Sequence, residues 1–174
     1  MKAGKAALLW ALALAAAGLF SAGCGTPSEE ARIKEFLKES VALAEKREVG
    51  ALMERFSPDY SDFEGRDKAD AERLVADYVG RFRGIVIHLL STRVDGPGPD
   101  GRAAVECEMC FSHGAAEVLR KLISYTGEYY RFRFALDRTG TGEWRFAFAE
   151  WQSVGLLDLF PESREILRKL FPGL

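Results

Sequence analysis

The spacing of apolar residues changes near residue 84, and this change constrains the fold of the 174-residue chain more than any other feature. Up to Phe82 the apolar residues recur at helical intervals, as in Leu74, Val75 and Tyr78. The next segment, Gly84 to Val94, is instead rich in Ile, Val and Leu, which is typical of a strand. Helices followed by antiparallel strands predict an α+β domain.

Three helices are predicted in the first part of the domain, with boundaries set by capping and turn residues. Thr26-Pro27-Ser28-Glu29 has the pattern of a capping box in which Thr26 is the N-cap. Asp67 is suited to cap the third helix, and Ser57-Pro58-Asp59 is typical of a turn. The predicted helices are Pro27 to about Arg47, Val49 to Phe56, and about Lys68 to Phe82.

Four strands and one further helix are predicted in the second part. Tyr130 and Phe132 alternate with Arg131 and Arg133, which indicates a strand with one apolar face. Ala115 to Tyr125 is predicted to be a helical insertion, although its flanks also suit a strand. The predicted strands are Gly84 to Val94, Arg102 to Ser112, Gly127 to Leu136 and Glu143 to Val154, and the last helix begins at Pro161.

The order of elements over about residues 28–154 resembles the nuclear-transport-factor-2-like superfamily, which includes ketosteroid isomerase and SnoaL-like polyketide cyclases. The resemblance rests on the amphipathic first helix, on Ala51 to Tyr60, and on the closing hairpin that ends with Gly142 to Phe146. It implies a cone-shaped fold, in which a curved antiparallel sheet wraps around three helices and leaves a pocket. It also implies a homodimer through the sheet. Residues 155–174 would add a C-terminal amphipathic helix.

The N-terminal segment resembles the lipobox signal of bacterial lipoproteins. Lys2 and Lys5 precede an uncharged apolar run, Ala6 to Phe20, and then comes Ser21-Ala22-Gly23-Cys24. A helix of fifteen residues is about 22 Å long, which is short for a permanent span of a bilayer core about 30 Å thick. The resemblance implies that Cys24 receives acyl chains and binds the membrane lipid.

This resemblance divides the N-terminal part into residues 1–23, a cleaved signal peptide, and residues 24–27, a lipidated N-terminus with a very short tether. Ser21 stands where leucine is usual in the lipobox. Two alternatives remain open, namely a secreted protein cut near Ala22 and an uncleaved anchor.

The expected location is the cell envelope, on the periplasmic face of the outer membrane. In lipoproteins the residue after the cysteine influences sorting, and Gly25 is not the aspartate that retains them at the inner membrane. Without Lys2 and Lys5 the mature chain carries 22 Lys and Arg against 26 Asp and Glu, a net charge of −4. Nucleic acid is therefore not a predicted partner, because its binding requires a basic face.

A ligand pocket and a catalytic carboxylate are predicted on the fourth strand. If this strand is regular, Glu150 shares a face with Trp144 and Phe146 and lies in apolar surroundings that suit a general base. In the alternatives, Glu150 lies where the strand ends, pairs with Arg131 or Arg133, or is moved outward by a bulge. The predicted pocket residues are Phe36, Phe132, Trp144, Phe146 and Phe148.

The ketosteroid isomerase constellation of a tyrosine and two aspartates is not met, since the first helix has no tyrosine and the strands carry no aspartate before Asp137. The favoured function is therefore binding of a small apolar ligand or a partner protein, without a cofactor. The alternatives are an isomerase- or cyclase-like enzyme that uses Glu150 and a structural dimerisation module with a filled cone. A hollow cone would argue against the last.

Three further residue types have alternative interpretations. Cys107 and Cys110 have CxxC spacing, but in a strand they would point to opposite faces and act as separate thiols rather than as a redox pair. No metal site is predicted, because a structural zinc needs four ligands. His88 is predicted on a sheet face. In a regular strand Trp151 and Phe146 would lie on opposite faces, and Trp151 is a candidate dimer contact.

Overall fold

The computed structural model describes residues 27–82, 84–113 and 128–170. These residues form four α-helices, one 3₁₀ turn and a curved five-stranded sheet, so the predicted α+β fold is confirmed. The predicted insertion at Ala115 to Tyr125 lies outside the described residues. The elements are α1 Glu29–Glu45, α2 Val49–Glu54, β1 Phe56–Asp62, α3 Lys68–Arg81, β2 Ile85–Asp95, β3 Arg102–His113, β4 Glu128–Arg138, β5 Trp144–Ser153, the 3₁₀ turn Leu156–Asp158 and α4 Pro161–Leu170.

The first helix begins two residues later than predicted. Ser28 is the N-cap, and its Oγ accepts a hydrogen bond from the backbone N–H of Ala31 at 3.2 Å. Glu29 and Glu30 lie in the first turn, where negative charge interacts favourably with the helix dipole. The predicted capping by Thr26 is wrong because Ser28 is itself a strong N-cap and adjoins the first helical residue. Asp67 caps α3 as predicted.

The sheet has the strand order β1-β5-β4-β3-β2, and β1 occupies a position predicted to be a turn. β1 pairs in parallel with β5, whereas the other neighbouring strands are antiparallel. Pro58 fits within β1 because this strand is at the edge of the sheet and its pairing register shifts between Phe56 and Ser61. The predicted turn at Ser57-Pro58-Asp59 is therefore wrong.

The inner face of the sheet, defined here as the face that packs on α1, carries the main core. Ile33 and Leu37 of α1 are fully or almost fully buried against residues such as Val105 and Leu136. Glu29 at the start of α1 forms an ion pair with Arg138, 3.4 Å away, at the end of β4. This pair fixes the N-terminal end of α1 at the end of the sheet where the β4–β5 turn lies.

The outer face of the sheet is partly covered by the C-terminal segment. Leu159 and Leu167 pack on Leu90 and Cys110. At the centre of this contact Glu108 is completely buried, and no feature of the sequence predicted it.

Glu108 accepts hydrogen bonds from two elements. Arg131 donates to Glu108 Oε1 through Nε at 2.9 Å and Nη2 at 2.6 Å, and the backbone N–H of Phe160 donates to Oε2 at 2.9 Å. Arg131 also donates to the carbonyl of Asp158 at 2.7 Å, and its guanidinium lies 4.2 Å from the centre of the Phe160 ring. This buried network joins the C-terminal segment to β3 and β4.

Candidate ligand-binding cavity

A cavity of about 440 Å³ lies between the inner face of the sheet, the C-terminal half of α1 and helix α3. Its lining is mostly apolar and aromatic. The described part of the domain is therefore hollow rather than filled by its own side chains. The sheet residues that contribute aromatic rings are Phe56, Tyr60, Phe111, Tyr130, Phe132, Phe134, Phe146 and Trp151.

Two of the five predicted pocket residues, Phe132 and Phe146, line the cavity. Phe36 and Trp144 are buried in the adjoining core, where the Phe36 ring lies 4.9 Å from that of Phe146. Phe148 is half-buried and is not part of the lining. The prediction that Phe36, Trp144 and Phe148 contribute to the cavity wall is wrong.

A β-bulge in β5 explains the misplacement of Phe148. Phe146 pairs with Leu136 of β4, but Phe148 pairs with Ala135, so Ala147 is an additional residue in the ladder. A single additional residue reverses which side chains point to each face.

Beyond the bulge, Ala149 and Trp151 line the cavity, and Glu150 points away from it. The Glu150 side chain is 46% exposed, and its Oε1 lies 3.8 Å from Arg133 Nη1. The prediction that Glu150 lies in the apolar cavity is wrong. The prediction that Trp151 and Phe146 lie on opposite faces of the sheet is also wrong, because both predictions assumed a regular strand.

β1 contributes three cavity residues that the sequence analysis missed, Phe56, Tyr60 and Asp62. The signal that could have found them is the even spacing of Phe56, Tyr60 and Asp62, which places the three on one face of a strand. Pro58 concealed this pattern because it favoured a turn.

The Asp62 carboxylate is the centre of a tight turn at the cavity rim. Its Oδ1 accepts from the backbone N–H groups of Glu64 at 2.9 Å and Arg66 at 3.0 Å, and its Oδ2 accepts from Arg66 Nε at 2.7 Å. Burial raises the pKa of Asp62, but the hydrogen bonds from Arg66 and Glu64 outweigh burial and hold the pKa below its ordinary value. Asp62 is thus an ionised structural group and a poor general base.

Arg66 neutralises this part of the rim. Its guanidinium pairs with Asp62 and with Glu64 and lies 5.0 Å from the centre of the Trp151 ring. The hydrogen bond to Asp62 raises the pKa of Arg66. Because each charge has a partner, the rim offers no isolated charge to a ligand.

The tyrosines of the cavity remain protonated at neutral pH. Burial, and secondarily the Asp62 carboxylate, raises the pKa of Tyr60 well above its ordinary value. Burial raises the pKa of Tyr78 to about 12, with a smaller effect from Glu128. These phenols are therefore neutral hydrogen-bond donors.

Three comparisons with known proteins bear on this arrangement. No family model and no curated protein matches the chain. Solved structures do match it, at low sequence identity. A nuclear-transport-factor-2-like protein of unknown function from Pseudomonas aeruginosa superposes with a TM-score of 0.59 at 18% identity, over 71% of this chain and 99% of that one. The chain has the nuclear-transport-factor-2-like fold.

Two other solved structures also match the chain at low sequence identity. A scytalone-dehydratase-like protein from Novosphingobium aromaticivorans has a TM-score of 0.60 at 16% identity, over 73% of this chain and 85% of that one. The Bd1075 protein of Bdellovibrio bacteriovorus has a TM-score of 0.57 at 9% identity, over 71% of this chain but only 40% of its own. At these identities the similarity shows the nuclear-transport-factor-2-like fold alone.

The ionisable side chains limit what the cavity can do chemically. Among the described residues of its lining they are Tyr60, Asp62, Glu64, Arg66, Tyr78 and Tyr130. This set contains neutral phenols and paired charges but no imidazole, thiol or amine. Such a lining suits the binding of an uncharged molecule better than proton transfer.

The two thiols of the described domain are not among the residues that line the cavity. Cys107 and Cys110 are both free and buried. Burial raises the pKa of Cys107, and it raises the pKa of Cys110 to about 11. Cys110 packs against the C-terminal segment on the outer face, and His88 lies opposite it in the β2–β3 register. The alternative of two separate thiols is confirmed.

Proposed function

We propose that this protein binds a small, uncharged, apolar ligand in the cavity of its nuclear-transport-factor-2-like domain, and that acyl chains on Cys24 hold it at the bacterial envelope. The cavity is the observation that carries the proposal. Its volume of about 440 Å³ falls within the range of about 300–1,000 Å³ that is typical of small-molecule sites. Its lining is apolar, apart from the phenols, the Ser40 hydroxyl and the paired charges at the rim.

Binding is favoured over catalysis by the position of the ionisable groups. The name of the scytalone-dehydratase-like neighbour indicates a dehydration reaction, which needs a group that removes a proton. In this chain Asp62 is held ionised by Arg66, and Glu150 lies outside the cavity. Glu64, the other carboxylate of the lining, is also paired with Arg66, so the enzyme alternative has no unpaired carboxylate among the described lining residues.

The proposed binding predicts a saturable complex with a neutral fluorescent probe. N-phenyl-1-naphthylamine is uncharged and aromatic, so it should enter the apolar cavity and gain fluorescence as water is excluded. A fluorescence titration should saturate at one probe per chain, and native mass spectrometry should give the same stoichiometry. A fluorescence increase that never saturates would argue against the cavity as a binding site.

The N-terminal end of α1, which follows the proposed anchor in the sequence, lies far from the cavity. This helix of 17 residues is about 25 Å long at about 1.5 Å per residue. Its N-terminal end is fixed by the Glu29–Arg138 pair, whereas the cavity is lined by its C-terminal half, including Val41 and Ala44. None of the helices in the described ranges is long and apolar enough to cross a membrane. An anchored domain would thus hold its cavity away from the membrane surface.

Replacing Cys24 with alanine is expected to release the protein from membranes without loss of probe binding. The physical reason is that two or more acyl chains are needed for stable attachment, and Cys24 is the proposed acceptor. Membrane and soluble fractions should be compared after labelling with radioactive palmitate. Cys110→Ala is the matched control, because it removes a thiol that is buried in the domain. Retention of Cys24→Ala in the membrane fraction would contradict the anchor.

A further inference from the structure

The hydroxyl group of Tyr60 is a polar group of the cavity that forms no hydrogen bond within the described part of the protein. Tyr60 is only 5% exposed and belongs to the buried core cluster. Its ring packs edge-on against Phe56, with 4.8 Å between the ring centres, and the residue lines the cavity. Among residues 27–82, 84–113 and 128–170, no side chain or backbone group forms a hydrogen bond with its hydroxyl. Because the residue lines the cavity, this phenol is free to donate a hydrogen bond to a molecule bound there.

Other polar groups of the same wall are already satisfied. Ser40 donates to the carbonyl of Phe36 at 2.7 Å, and the Tyr130 hydroxyl donates to Glu128 at 3.2 Å. Asp62 accepts three hydrogen bonds from its own turn. The Tyr78 hydroxyl also forms no hydrogen bond among the described residues, but Tyr78 is only half-buried, so Tyr60 is the more deeply buried of the two free donors.

We infer that Tyr60 is the specificity-determining residue of the cavity, and that the ligand is an uncharged aromatic or alicyclic molecule with an acceptor oxygen such as a ketone. This inference rests on the proposed binding function. The Tyr60 O–H donates to the ligand oxygen, and the apolar rest of the ligand packs on rings such as Phe132 and Phe146.

The surroundings of Tyr60 explain why the acceptor is uncharged. A carboxylate placed beside Tyr60 would be repelled by the Asp62 carboxylate, and Arg66 is already paired with Asp62 and Glu64. A cation would lose its hydration in an apolar wall without a free carboxylate. A water molecule is a poorer occupant than a ligand oxygen, because a buried water needs two to four polar partners.

Two probes of nearly equal shape separate the polar contact from apolar packing. 2-Acetylnaphthalene carries a ketone oxygen, and 2-ethylnaphthalene has a methylene group in place of the carbonyl. The wild-type chain should bind the ketone about three- to tenfold more tightly, the range expected for one hydrogen bond. Tyr60→Phe should bind 2-ethylnaphthalene as tightly as the wild type does and should lose the preference for the ketone. Competition against N-phenyl-1-naphthylamine measures all four affinities.

Tyr130→Phe is the matched control, because it removes a phenol of the same cavity whose hydroxyl already donates to Glu128. This variant should keep the preference for the ketone. If the wild type shows no preference, or if Tyr60→Phe retains it, the inference is overturned while the binding function stands. If neither naphthalene binds to the wild type, the binding function itself fails.

The carbonyl stretch of bound 2-acetylnaphthalene gives a readout that does not depend on the variant folding. A hydrogen bond from Tyr60 should shift this infrared band in the wild type to a lower frequency than the ketone shows in hexane. An unshifted band overturns the inference. In folded Tyr60→Phe the band should return to its hexane position. Stability to urea should not fall in this variant, because the lost hydroxyl has no partner in the described part of the chain.

Discussion

Replacing Glu108 with alanine is expected to lower the free energy of unfolding by about 3–5 kcal/mol, the range typical of breaking a buried ion pair by removing one partner. Glu108 is fully buried and takes hydrogen bonds from Arg131 and from the backbone N–H of Phe160. Without it, the Arg131 guanidinium, which is only 17% exposed, loses its carboxylate partner. Urea denaturation at neutral pH, followed by intrinsic fluorescence, measures the loss.

The chain offers a close control two residues earlier on the same strand. Glu106 pairs with Arg133 at 3.1 Å, but the side chains are 28% and 57% exposed. Exposed pairs contribute about 0–1 kcal/mol, so Glu106→Ala should change stability little. Equal effects of the two substitutions would contradict the assigned role of Glu108.

A second variant, Glu108→Gln, tests how much of the stabilisation depends on the charge of Glu108. Glutamine retains one acceptor oxygen, so it can still receive either the Phe160 N–H or the Arg131 guanidinium, but it carries no charge. Its stability should lie between those of the wild type and Glu108→Ala. Limited proteolysis should cut the segment from Leu156 to Leu170 faster in both variants, because Phe160 loses part of its attachment to β3.

The sequence was sufficient to predict most of the fold, because most of its elements follow from local patterns. The change in apolar spacing near residue 84 and the Asp67 cap each depend on neighbouring residues. β1 could not be predicted in this way. Its Pro58 is tolerated only because β1 is at the sheet edge beside β5, and strand order is not a local property.

The candidate site was less predictable for a related physical reason. A strand has a side-chain period of two, so the additional residue at Ala147 reversed the predicted faces of Phe148, Glu150 and Trp151. Before the bulge the same rule was correct, and Phe146 lies in the cavity. No signal in the sequence marked the bulge. Burial of Glu108 was also unpredictable, since its partners lie 23 and 52 residues further along the chain.

Filling the cavity from its wall is expected to abolish probe binding while the fold is retained. Ala149 lines the cavity from β5, just beyond the bulge, and is almost fully buried. In Ala149→Phe the new ring would occupy space that the ligand needs. The affinity for N-phenyl-1-naphthylamine should fall by at least about 30-fold, which corresponds to about 2 kcal/mol. Since the new ring fills empty apolar space, stability to urea should be retained.

Ala104→Phe is the matched control for this substitution. Ala104 is exposed on β3, between the core residues Ala103 and Val105, so its side chain points away from the inner face. The same increase in size there should leave the affinity unchanged. Val75→Trp provides a second way to fill the space, because Val75 faces the cavity from α3. If Ala149→Phe and Val75→Trp both fold and both bind the probe normally, the ligand site is elsewhere. Loss of binding in these two variants, but not in Ala104→Phe, would place the ligand site between α3 and β5.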